Sequence, residues 1–155
     1  VIVKPYPFSH AIVDRLLPPS DLAAQWPVDS WPDWIIYESA LERKRACDHW
    51  TRVSEPCKQG LRFLLSLDLE YDFGSIRRFV PDSSLWGAGL HSMRAGDFLS
   101  LHLDSDRHRV TGMERRLNAI WFTHPRWEDD WGGELELWDA ERTKAVVRIL
   151  PKPGR

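Results

Sequence analysis

The stretch Gly96-Asp97-Phe98-Leu99-Ser100-Leu101-His102-Leu103-Asp104 alternates leucine with polar residues from Leu99 onward. That period of two is the pattern of a half-buried strand. Side chains two apart on a strand share a face. Leu99, Leu101 and Leu103 are thereby predicted to form an apolar face, with His102 and Asp104 side by side on the opposite one.

An imidazole and a carboxylate presented together suit a divalent metal. They are two of the three protein ligands in the 2-His-1-carboxylate arrangement that holds non-haem iron(II) and leaves positions open on one side of the ion. His102 and Asp104 are therefore the candidate metal ligands, and a second histidine has to come from elsewhere. The plainer alternative is a surface histidine followed by a strand-end turn residue. These residues alone do not decide between the two.

The chain has 155 residues, enough for one domain with its own core. Its formal net charge is -2 and it has no dense basic run, so the electrostatic footprint of a general nucleic-acid binder is missing. No apolar run approaches the ~18 residues of a membrane span. Val1-Ile2-Val3-Lys4-Pro5 lacks the apolar core of a signal peptide. Cys47 and Cys57 are too few for a disulfide framework and read as free thiols, which points to a cytoplasmic protein. Nine tryptophans are many for this length and are expected to fill a core or line an aromatic pocket.

Pro5 and Pro7 make the entry extended, and a short helix is expected over residues 20–25 after Pro18-Pro19, stopped by Pro27. Residues 26–34 read as loop and 34–37 as a strand. Cys57, Leu61, Leu64 and Leu65 recur at helical spacing within residues 55–67, and a second helical run is plausible over 69–79, weakened by Gly74. From residue 85 the period shifts towards two. Strands are expected over 85–93, 98–104, 116–123, 134–138 and 145–150. Helices followed by a run of short strands indicate an α+β domain whose β part is a sandwich or barrel.

Placed in order along the chain, Gly96, the strand 98–101, His102-x-Asp104, a variable segment 105–115, a hydrophobic strand 116–123 and Gly132-Gly133-Glu134-Leu135-Glu136-Leu137 resemble the iron(II)/2-oxoglutarate-dependent dioxygenases, most of all their prolyl-4-hydroxylase-like branch. His-x-Asp alone is a weak signal; the ordered set is far more specific. The lead-in from Tyr6-Pro7 to Pro18-Pro19 is also similar, and Ile149 to Arg155 resembles the Pro-x-x-Gly turn before the family's next core strand. The resemblance implies a double-stranded β-helix (jelly-roll, cupin-like) with N-terminal helices packed on one sheet and C-terminal strands missing. On that reading residues 1–155 form a single oxygenase domain, with 1–80 a helical support and 85–155 an incomplete β-helix core.

The resemblance further implies Fe(II) as cofactor, 2-oxoglutarate and O2 as co-substrates, and His102 and Asp104 as catalytic metal ligands. The family's distal histidine and the basic residue that anchors 2-oxoglutarate follow the Pro-x-x-Gly turn. Both are expected beyond Arg155, and the chain is expected to be part of a longer protein. Many relatives also carry a tyrosine three residues before the glycine equivalent to Gly96. Met93 stands there, and a thioether cannot donate a hydrogen bond as a phenol does. Asp104, in place of the small residue of halogenating relatives, favours hydroxylation.

The implied function is hydroxylation of an unactivated carbon in an amino acid, peptidyl residue or small metabolite, with no nucleic-acid or membrane partner. The alternative is a non-catalytic binding module on a truncated or degenerate dioxygenase scaffold. A third reading, an alkylation-repair type nucleic-acid demethylase, shares His-x-Asp but sits badly with the acidic balance. Residues 105–115 and 127–131 would flank the mouth of the barrel, where either segment is a candidate lid.

The other histidines read as structural. His108 lies in a charged stretch and is expected to be solvated, His91 to be packed, and His124 to sit at a strand end or turn. His49 with Cys47 and Asp48 lacks the partners of a zinc site. Arg115 and Arg116 read as a solvated strand end, with contact to an acidic substrate as the sharper alternative. Gly132-Gly133 is expected to relieve crowding or to allow positive φ after Trp131.

Overall fold

A computed structural model describes residues 2–16, 31–66, 80, 82, 86 and 89–155. Among these the elements run β1 (Val3–Lys4), β2 (His10–Ala11), β3 (Ile35–Glu38), β4 (Glu42–Cys47), α1 (Glu55–Ser66), β5 (Leu90–Ser92), β6 (Phe98–Leu99), β7 (Leu135–Trp138) and β8 (Ala145–Ile149). They fall into two compact units. Of the described residues, one unit holds 31–66 and 80–118, and the other holds 2–16 and 119–155.

The first of these units is organised by β4. On one side β4 pairs antiparallel with β3, Ile35 opposite Ala46 and Glu38 opposite Arg43. The connecting turn is closed by Ser39, whose amide donates to the Glu42 carbonyl at 2.8 Å and whose Oγ accepts from the Leu41 and Glu42 amides. On its other side β4 meets β5 and then β6, both antiparallel. Arg45 lies opposite Ser92 and Arg43 opposite Phe98, so two steps along β4 face six along its partner. The excess forms a turn in which the Asp97 amide donates to the Arg94 carbonyl and the Arg94 amide to Asp97 Oδ2. Gly96 supplies the positive φ of 87° in that turn, a conformation that costs a Cβ-bearing residue about 1 kcal/mol or more.

Helix α1 begins where Ser54 supplies the first carbonyl, accepting from the Lys58 amide at 3.0 Å. Pro56 lies in the first turn, where a missing amide hydrogen costs nothing. Glu55 in that turn is also reached by Lys58 and Arg62. The helix turns Cys57 inward, onto a small core of Cys47, Val53, Cys57 and Leu90 with Trp31 and Trp34 packed against it. The two tryptophan rings meet edge to face, 5.2 Å between centroids. Both cysteines are free thiols, and burial pushes the Cys57 thiol up against a weaker, opposing hydrogen bond from Ser54.

In the second unit β1 pairs with β2, and β7 with β8. The β7–β8 turn is built on Asp139, whose carboxylate accepts from the Thr143 amide and hydroxyl and is held below the usual carboxylate value by those bonds. The turn at 151–154 is tied in from two directions. The Gly154 amide donates to the Phe122 carbonyl and the Leu16 amide to the Gly154 carbonyl, while Arg155 Nε bonds Asp14 Oδ1 at 2.7 Å.

Several expectations change. The helical support expected over 1–80 is, among the described residues, four strands and one helix; the helices expected over 20–25 and 69–79 lie outside the described residues. The strand expected over 98–104 shortens to Phe98–Leu99, with one further ladder bond from the Ser100 amide to the Leu41 carbonyl. Its leucine face is not covered: Leu101 and Leu103 are 49% and 85% exposed. Residues 116–123 form no strand. Phe122 instead exchanges backbone bonds with Gly154 and Arg155. The regular elements among the described residues are thus mostly strands, with one short helix.

Candidate metal centre

His102 and Asp104 come together just past the end of β6 rather than within a strand. The backbone stays extended enough for the two-residue spacing to do its work: His102 Nε2 lies 3.6 Å from Asp104 Oδ1. Both side chains are about half exposed, so a ligand reaches them without local unfolding.

The imidazole is oriented. His102 Nδ1 sits 2.8 Å from the Ser100 carbonyl oxygen. A carbonyl only accepts, so Nδ1 carries the hydrogen, and the lone pair of the neutral ring is on Nε2, the nitrogen that faces Asp104. A ligating histidine whose other nitrogen donates to a backbone carbonyl is the usual outer arrangement of a metal site. The carboxylate is held from its far side. Asp104 Oδ2 accepts from Asn118 Nδ2 at 2.8 Å and lies 3.7 Å from Arg115 Nη1. One neutral nitrogen and one carboxylate oxygen, separated by a gap that one ion can bridge, fit a divalent metal and are compatible with iron(II). Among the described residues no group of three or more His, Cys, Asp and Glu side chains is placed to hold one ion, so the pair would supply two ligands of a larger set.

Residues 105–115 are not a bare loop. Arg107 bridges to Glu114, the His108 amide donates to the Met113 carbonyl, and the Arg115 amide donates to the Asp106 carbonyl at 2.8 Å. His108 braces the tip instead of being solvated. Its Nδ1 accepts from the Val110 and Thr111 amides at 3.1 Å, and its ring lies 4.8 Å from that of Trp86. This hairpin returns the chain to Asp104 and delivers Arg115 and Asn118 to it. A cavity of about 180 Å³ opens beside it, lined by Asp106, Arg107, Glu114, Arg115 and Arg116. Glu114 is matched to both Arg107 and Arg116, and Arg116 stays about half exposed in that pairing.

The other candidates fall elsewhere. His91 is exposed on β5, and the His49 ring lies 4.0 Å from the Asp48 carboxylate. Met93 is about half exposed. In the second unit Trp127 Nε1 donates to the Gly132 carbonyl; both glycines have positive φ, 73° and 72°, and a Cβ on Gly133 would stand 3.0 Å from Trp127, so the pair allows positive φ and Gly133 also relieves crowding.

His124 packs against Trp127, ring centroids 4.8 Å apart, with its Nε2 buried and unpartnered among the described residues. Burial holds this imidazole below the usual histidine value, and a hydrogen bond with Pro151 offsets only part of that. The unfolded chain therefore binds the proton more readily than the folded one. The His124 contribution is complete above about pH 6.5, the unfolded value, and is lost as pH falls towards the folded one. Urea midpoints between pH 7.5 and pH 5 are expected to fall less steeply in His124→Phe than in the parent protein. Parallel pH profiles would show that the ring is charged without cost in the fold.

No helix among the described residues is long and apolar enough to cross a membrane. No curated protein and no solved structure matched the sequence. Residues 88–155, which contain the His102–Asp104 pair, the hairpin after it and both strands of the β7–β8 sheet, match the family model of the 2OG-Fe(II) oxygenase superfamily, and the match supports that superfamily for this part of the chain.

Proposed function

We propose that the protein is an Fe(II)- and 2-oxoglutarate-dependent dioxygenase of the prolyl-4-hydroxylase-like branch, a hydroxylase acting on an unactivated carbon of an amino acid, a peptidyl residue or a small metabolite. The observation that carries the reading is the oriented pair, His102 Nε2 facing Asp104 Oδ1 at 3.6 Å, inside the segment that matches the superfamily. A double-stranded β-helix is the fold that goes with it. On this reading His102 and Asp104 hold the metal, together with a third ligand, a histidine, and 2-oxoglutarate is anchored by a basic residue.

The iron with 2-oxoglutarate and dioxygen supplies the oxidising power for breaking a strong C–H bond. The chain's own residues orient and exclude. The Ser100 carbonyl keeps the His102 lone pair on Nε2, and Asp104 offers a negative oxygen on the same side. The hairpin at 106–115 flanks the pair as a pre-formed wall. The short β-bridge and the His108 brace favour a fixed edge over a mobile lid in this segment.

The test is succinate formation from 2-oxoglutarate by the anaerobically Fe(II)-loaded protein after admission of air, with and without candidate amino acids and proline-containing peptides. Succinate that depends on iron and on His102 is expected. Tight binding of a metabolite with no succinate under any condition would favour the non-catalytic module instead.

A further inference from the structure

Asp104 has two oxygens that differ only by what surrounds them. A carboxylate rotates about its last bond in a broad two-fold well, so an unrestrained aspartate can offer one oxygen, the other or both. A carboxylate that binds through both oxygens takes up a position that substrates need. Here the choice is constrained. Oδ1 faces His102 Nε2 at 3.6 Å, while Oδ2 accepts from the Asn118 amide at 2.8 Å. The Arg115 guanidinium, 3.7 Å from the same Oδ2, adds charge on that side without the close approach of a good hydrogen bond.

Resting on the reading above, we infer that Asn118 is a positioning residue for the metal: its side-chain amide ties down Asp104 Oδ2 so that the carboxylate presents Oδ1 alone towards His102. Asn118 suits this task. It lies fourteen residues beyond Asp104 and is returned to it by the hairpin in which Arg115 bonds Asp106. Its amide is neutral, so it orients the carboxylate without competing as a counter-charge with the incoming cation. The bond is exposed, so it adds little to the stability of the fold. Its consequence is confined to the geometry of Asp104. Outer groups that hold a ligand in this way are typically worth 10–100-fold in metal affinity.

The experiment titrates the full chain with Mn(II) alone, read by the loss of free-ion electron paramagnetic resonance signal, beside the thermal midpoint of the metal-free protein. Asn118→Ala is expected to weaken Mn(II) binding about 10- to 100-fold with an unchanged midpoint. Asn118→Gln, which keeps the donor on a longer arm, is expected to recover part of the loss. Affinity within two-fold of the parent in Asn118→Ala, while His102→Ala abolishes binding, would overturn the role of Asn118 and leave the metal centre standing. A midpoint that falls together with the affinity, unrescued by glutamine, would overturn it in favour of a structural part. A parent protein that binds no Mn(II), or binds it equally well after His102→Ala, would overturn the proposed function and this inference with it.

Discussion

Alanine at both His102 and Asp104 is expected to abolish binding of a divalent metal, and Asp104→Ala alone to weaken it more than about 100-fold, beyond the 10–100-fold typical of outer groups. The imidazole presents its lone pair on Nε2 because Nδ1 is committed to Ser100, and Asp104 Oδ1 is its charged partner. Removing either leaves one protein donor from this segment, and removing both leaves none. The fold is expected to survive. Both side chains are half exposed, and the bonds that Asp104 loses, to Asn118 and Arg115, are surface contacts of roughly 0–1 kcal/mol. Calorimetry with Mn(II), or with Fe(II) under anaerobic conditions, beside a denaturation curve, separates the two effects. Equal affinity in the double variant would remove the metal centre from this place in the chain.

The pair was legible in the sequence because its geometry is local. Two residues of extended chain put His102 and Asp104 on one side whether or not a strand continues through them. The groups that orient the pair were not legible in the same way. Asn118 appeared only as one position on an alternating segment, and Arg115 as a strand end. Their contact with Asp104 depends on a hairpin whose closing bonds are backbone bonds and a His108 brace, neither of which leaves a hydrophobic pattern. His108 itself misled for that reason, since a charged stretch reads as solvated even when its imidazole accepts two amides.

The fold divides along the same line. The spacing of Cys57, Leu61 and Leu64 located α1 to within a residue at its C-terminal end, and alternation located β7 and β8. The middle strand of the four-stranded sheet, β4, gave no such signal. Its sequence, Glu42-Arg43-Lys44-Arg45-Ala46-Cys47, carries four charges, and it is a strand because β3 and then β5 and β6 pair with it on both sides. Long side chains make that tolerable: Lys44 reaches Glu42 and lies over the Tyr37 ring, and Arg45 reaches Ser92. In residues 116–123 the error ran the other way. Alternation was present, but no ladder partner is paired with them among the described residues, and pattern without a partner makes no strand.

That dependence on β4 sets the largest expected change in stability. Gly89→Ala is expected to destabilise the fold by about 3 kcal/mol, the upper part of the range for an overpacked site. A Cβ on residue 89 would stand 2.5 Å from the Cys47 carbonyl oxygen and 3.1 Å from Asp48 Cα, and both are backbone atoms with no rotamer to change. β4 cannot move away, because Ala46 is paired with Ile35 on its other edge while Cys47 faces Leu90 across the ladder. If the 89–90 segment shifts instead, Leu90 leaves the core in which it is 1% exposed. Gly96→Ala is the matched control. It has positive φ but nothing within 4 Å of the added methyl, so only the backbone cost of roughly 1 kcal/mol applies. Urea denaturation of the two variants, with the slope checked for constancy, is expected to place Gly89→Ala well below Gly96→Ala. Equal midpoints would mean that residue 89 does not approach β4 this closely, and the ladder that carries β5 into β6, and so to His102, would then have a different register.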